Sequence, residues 1–183
     1  MKSNKRSIYA LLLIPLFFCV LLDASEVIPK TGGRAILKSS ILGPIELTFP
    51  GGCFTQSQTI QVQVTQSKDT EDDFKSSLLA PAERFKRLPG EVRIQTGKSK
   101  PRSPVKVKIT IPPGKIKTPD AMAELFYSSS NEVHDSFDMV DSRWNVQTHE
   151  LSFDLAPEYF TSERRDDGVV EAVIVIVQDQ EKK

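Results

Sequence analysis

The run Pro104-Val105-Lys106-Val107-Lys108-Ile109-Thr110-Ile111-Pro112-Pro113 decides how the chain is read. Val105, Val107, Ile109 and Ile111 alternate with Lys106, Lys108 and Thr110. A period of two sends successive side chains to opposite faces, so the branched residues share one face and the polar residues the other. That is a half-buried strand. Prolines close it at both ends, where a missing N–H cannot extend a central ladder.

Other segments repeat the pattern on either side. Upstream, Gly32-Gly33 opens a strand over 34–37, and Gly43-Pro44 opens Ile45-Glu46-Leu47-Thr48-Phe49, which Pro50-Gly51-Gly52 ends. Residues 59–65 alternate again, with Ile60, Val62 and Val64 facing inward. These three elements read as consecutive strands of one antiparallel sheet. Further strands are expected over 91–95, 123–127, 137–140, 143–146 and 152–155. The apolar run 169–177 is the last. Residues 68–89 are the least regular part. There Asp69, Glu71, Asp72 and Asp73 read as a solvated loop, followed by a short amphipathic helix over 73–79 that Ala80-Pro81 stops. A calcium loop would need alternating acids followed by glycine, and that order is missing.

About nine short strands, with turn residues recurring roughly every ten positions, give an all-β fold: an antiparallel β-sandwich. The expected core includes Leu47, Phe49, Ile60, Val62, Val107, Ile109, Phe126, Trp144, Phe153 and Val173. The mature chain offers no pattern for a helix of ordinary length, which argues against α/β folds.

The N-terminus reads differently from the rest. Lys2, Lys5 and Arg6 precede an apolar run over 8–22 that stops at Asp23. Fifteen residues fall short of the ~20 that a spanning helix needs and match the apolar region of an export signal. Residues 1–24 are read as a signal segment with cleavage after Ala24, and an uncleaved anchor is the alternative. The chain is therefore expected to be secreted, periplasmic or at the cell surface, with membrane contact only through this segment if it is retained. The sandwich is expected over 29–178, with a charged tail over 179–183.

Composition narrows the function further. The whole chain is 39% hydrophobic and formally neutral, and without residues 1–24 it carries 21 basic against 23 acidic residues. Neither balance pulls toward nucleic acid. The mature chain keeps one cysteine, Cys53, which cannot form an internal disulfide and reads as a small buried apolar group.

The order of these motifs resembles the ZU-five domain, a β-sandwich module of ankyrins, zonula-occludens proteins and netrin receptors. The resemblance rests on Gly32-Gly33, the strand 45–49 with its Pro50-Gly51-Gly52 turn, and the strand 60–64. It continues through Gly90-Glu91-Val92-Arg93-Ile94, the Pro104-Val105 strand, Trp144, Leu151-Ser152-Phe153 and Tyr159-Phe160-Thr161. It covers 29–177. Departures are Gly52-Cys53 where the family has Gly-Ala, Tyr159 where it has His, and a longer 65–89 stretch. The resemblance implies a binding or scaffolding role without a cofactor. Some relatives cut their own chain at Phe-Ser, so Phe160-Thr161 is an alternative site of self-processing or hydrolysis, with His134 or His149 as base.

Lys98, Lys100, Arg102, Lys106, Lys108, Lys115 and Lys117 form the candidate binding set, since no acid interrupts the sequence between Glu91 and Asp120. Such a basic patch fits a protein or acidic-surface partner. The competing reading is an edge strand that lysines keep from pairing with other chains. His134 and His149 read as surface residues in polar turns, and no zinc spacing accompanies them. No nucleophile-elbow, zinc-protease or phosphate-loop motif is present. The sequence thus reads as a non-catalytic module with no cofactor and no metal.

Overall fold

The computed structural model describes residues 23–66, 74, 84–129, 132–163 and 165–180. Eleven strands lie among them: β1 (Asp23–Ile28), β2 (Gly33–Ser39), β3 (Gly43–Phe49), β4 (Gln58–Thr65), β5 (Phe85–Gln95), β6 (Val105–Thr110), β7 (Pro119–Ser129), β8 (Glu132–Val140), β9 (Ser142–Asn145), β10 (Glu150–Leu155) and β11 (Glu171–Asp179). They form a six-stranded sheet, β1-β4-β5-β11-β7-β8, and a five-stranded sheet, β2-β3-β6-β10-β9. Every strand pairing is antiparallel. The chain is an all-β sandwich, as its alternation implies, with eleven strands rather than about nine.

The alternating run at β6 sits mid-sheet, between β3 and β10. Val105, Val107 and Ile109 are buried, while Lys106 and Lys108 are exposed. The edge-strand reading of these lysines is therefore corrected, because β6 has a hydrogen-bonded neighbour on each side and needs no guarding. Between the sheets, Leu47 and Phe49 of β3, Ile60 and Val62 of β4, and Val107, Ile109 and Phe153 share one buried cluster. Trp144 packs at its rim, half-buried. Phe126 is on β7, but its side chain lies outside the described set.

The sheet assignment of the first strands is also corrected. β2 and β3 do pair, but β4 crosses to the other sheet and pairs with β1 and β5. Alternation fixes which face of a strand is buried, and the eight-residue loop 50–57 is long enough to carry the chain over the end of the sandwich. β1 was not expected. It lies upstream of the expected start at residue 29, and its Ile28 is fully buried. Residues 1–22, the bulk of the signal reading, lie outside the described residues, as does most of the acidic loop and helix reading over 68–83.

β5 is longer than expected. It starts at Phe85, upstream of the expected start at residue 91, and runs through Pro89-Gly90. The β5–β11 register shifts between Val175 and Val177, so this is a bulge, and Gly90 has φ 90° within it. A positive φ also serves the β2–β3 turn. A Cβ on Gly43 (φ 86°) would lie 2.0 Å from the Thr110 carbonyl oxygen, so only glycine lets this turn pack under the end of β6.

β11 is buried on both faces. Ala172, Ile174 and Ile176 face the inter-sheet core. Val175 and Val177 join Phe74, Phe85, Met122 and Phe137 in a second apolar cluster on the outer face of the six-stranded sheet. The Phe74 and Phe137 rings meet edge to face at 5.7 Å. This explains why β11 reads as a near-continuous apolar run rather than an alternation. The sequence places Asp179 in a charged tail. It is instead the last residue of β11, 2% exposed and paired with Arg84 at 2.8 Å.

Candidate binding surfaces

β6 separates the seven candidate cations into three groups. Lys106 and Lys108 project from its middle. Lys98, Lys100 and Arg102 lie in the loop before it and Lys115 and Lys117 in the loop after it. Six strand residues at about 3.3 Å each put these two loops roughly 20 Å apart, at opposite ends of the sandwich. Lys115 also donates from Nζ to the Ile41 carbonyl. The structure therefore does not bring the seven into one patch. In the sequence they run together because β6 joins the two loops.

A groove of about 600 Å³ crosses the outer face of the five-stranded sheet. Lys106 and Lys108 lie at its centre, with Arg34 and Arg143 toward opposite edges and Glu46, Asp141 and Asp154 among them. Cross-strand register sets this arrangement. Glu46 and Ser152 lie opposite Lys108, and Thr48 and Asp154 lie opposite Lys106. Arg34 pairs with Glu46 at 3.4 Å, and Lys108 pairs with Glu150 at 3.4 Å. The Thr148 hydroxyl donates to Glu150 at 2.9 Å and, with Lys108, holds that carboxyl below its usual range. Among the described residues, Lys106, Arg143, Asp141 and Asp154 have no ion-pair partner within 4.0 Å. The groove is therefore mixed in sign, with unspent charge of both kinds. The sequence reading missed the acids because they come from β3, β10 and the β8–β9 link rather than from the 91–120 run.

The residues considered for self-processing are spread out. His134 is on β8 in the six-stranded sheet rather than in a turn. His149 is in the β9–β10 turn at φ 55°, its ring 5.9 Å from that of Trp144. Phe160 is fully buried, and Thr161 bridges to Glu171 through both backbone hydrogen bonds. The Thr161 hydroxyl accepts the Glu163 N–H at 3.1 Å. His149 precedes β10 and Thr161 follows it, which separates them by roughly 20 Å of extended strand. Among the described residues, no group of three or more His, Cys, Asp or Glu is placed to hold a metal ion.

An ionic cluster that the sequence reading did not single out lies on the outer face of the six-stranded sheet. Arg93 joins Glu91 at 2.7 Å and Glu171 at 2.8 Å. These carboxylates are 0% and 1% exposed. Arg87 and Thr65 also hold Glu91, and Gln95 holds Glu171. Burial acts to lower the Arg93 pKa, but Glu171, Glu91 and Glu124 outweigh it and raise the guanidinium above its ordinary value. The Glu91-Val92-Arg93 alternation was the available signal, since i and i+2 share a face. With each carboxylate partnered, the cluster fits a structural role.

Compared with models of known protein families and with curated proteins, the chain matches none.

Proposed function

We propose that this chain is an exported, non-catalytic binding module related to the ZU-five domains, and that it acts by surface contact with a protein or an anionic surface. The groove across the five-stranded sheet is its main support. Five hydrogen-bonded strands make a rigid floor, and Lys106 and Lys108 stand on it beside one another and open to solvent. Binding residues on rigid elements need little ordering when a partner arrives. The family part of the proposal draws on the motif order: a Pro-Gly-Gly turn after β3, a proline-flanked β6 and an aromatic pair after β10. Export draws on the basic and apolar pattern of residues 1–24.

The test is charge reversal on the floor. A partner recovered from the native host and then purified should bind the wild-type chain and lose at least tenfold in affinity with K106E/K108E. Both side chains are exposed, so the melting temperature should barely move. Unchanged affinity removes the groove from the proposal. An intact mass of the host-made protein that begins at Ser25 supports export with cleavage. A mass that begins at Met1 removes the cleaved form.

A further inference from the structure

Four loops meet at one end of the sandwich: 29–32 after β1, 50–57 after β3, 96–104 after β5 and 156–170 after β10. The strand orders β1-β4-β5-β11 and β2-β3-β6-β10 lay them side by side in that sequence. Each is tied to the next through its backbone. The Gly52 N–H donates to Lys30 O at 2.9 Å, the Arg102 N–H to Cys53 O at 2.9 Å and the Val170 N–H to Gly97 O at 2.7 Å. Gly32 makes the first junction possible, because a Cβ there would lie 2.6 Å from the Phe49 carbonyl oxygen. The end is thus a braced platform rather than four independent loops.

Charge divides this platform. The first three loops carry Lys30, Lys98, Lys100 and Arg102 and no acid. All four are exposed, and among the described residues none lies within 4.0 Å of a carboxylate. The fourth loop has a net charge of −2, with Glu158, Glu163, Asp166 and Asp167 against Arg164 and Arg165. The chain enters β1 at Asp23, at the other end of the sandwich. A uniformly anionic polymer laid across the platform would run from four cations onto a net-negative loop. A protein segment that changes sign along its length suits both halves.

We propose that this end of the sandwich docks a protein segment whose acidic residues lie over Lys30, Lys98, Lys100 and Arg102 and whose basic residues lie over the 156–170 loop. Three strand spacings make the platform roughly 14 Å wide, the reach of about five extended residues. This surface is separate from the sheet-face groove, and its test does not use that face.

The probe is a synthetic peptide with a block of glutamates followed by a block of lysines, titrated into the full-length chain and followed by amide chemical shifts. Perturbations should centre on Lys30, on 98–102 and on 158–167. K98E/R102E and, separately, K30E should each weaken binding at least fivefold without changing the melting temperature. Lys38→Glu, on an exposed site at the far end of β2, should not. Raising salt from about 50 to about 300 mM should weaken binding, because exposed charges are screened over a Debye length. An alternating peptide of the same composition, heparin or anionic phosphatidylserine vesicles binding as tightly as the block peptide would overturn the proposal. So would no binding at millimolar peptide.

Discussion

Arg93 shows how much one side chain can organise. Its guanidinium fork meets Glu91 on its own strand and Glu171 on the neighbouring one, so it fastens β5 to β11 from the outer face of the sheet. Without it, two buried carboxylates lose their shared cation. Removing one partner of a buried ion pair costs about 3–5 kcal/mol. Arg87 still holds Glu91 at 2.9 Å, so Arg93→Met is expected near the lower figure. Urea unfolding should show a lower midpoint at an unchanged slope. Arg93→Lys keeps the charge but loses the fork, and should fall between. Asp167 makes a different kind of contact, on the surface. The Arg165 guanidinium, and then the Val169 N–H, draw its carboxyl down to about 2. Its folded pKa is below the unfolded value of about 3.9, so its stabilising contribution is complete above pH ~4 and is lost as pH falls through about 2. Because the group is solvated, this should appear as a titration of the Val169 amide shift with little change in melting temperature. Asp167→Asn should abolish that titration. A Val169 shift that titrates near pH 4 instead would show that Arg165 does not hold the carboxylate.

Strands were legible wherever one face is wet. In β3 and β6, Leu47, Val107 and Ile109 alternate with Glu46, Lys106 and Lys108 because water meets only one side of the five-stranded sheet. β11 lacks that contrast, since Phe74, Phe85 and Phe137 cover its outer face. Its position was still readable as an apolar run, and Val173, expected in the core, is fully buried; its register opposite Arg93 puts it on the outer face of the sheet rather than between the sheets. Partner choice was not legible at all. Alternation in β4 is the same whether it pairs with β3 or with β5, and only the path of loop 50–57 decides. The bulge in β5 was hidden for a related reason. Pro89-Gly90 ends a strand in most settings, and here β11 continues on the far side of it. The candidate surfaces followed the same rule. Their cations could be read from local sequence, but which ones share a surface depends on strand order, and that order puts Lys30 with Lys98 and parts both from Lys115.

At the scale of the whole molecule, β1 decides how the sandwich is closed on one side. It is the edge strand of the six-stranded sheet, paired in full with β4 from Asp23↔Gln63 to Ile28↔Gln58. Its far end turns through Pro29 directly into β2, the edge of the other sheet, so one hairpin-like corner covers both edges. Cleavage after Ala24 would leave Ser25 to Ile28 still registered on Gln61 to Gln58, and Ile28 would stay in the core. A chain beginning at Ser25 is therefore expected to fold with only a small drop in melting temperature. Removing residues through Ile28 is a different change. It takes a fully buried isoleucine from the core, a loss on the scale of the ~2–5 kcal/mol seen when large core side chains are truncated. It also leaves β4, with Ile60, Val62 and Val64 along it, as an unpaired edge able to template other strands. Such a chain should lose most of its urea midpoint and scatter light at concentrations where the Ser25 form stays clear. Equal behaviour of the two would mean that β1 closes nothing, and that the sandwich is completed without it.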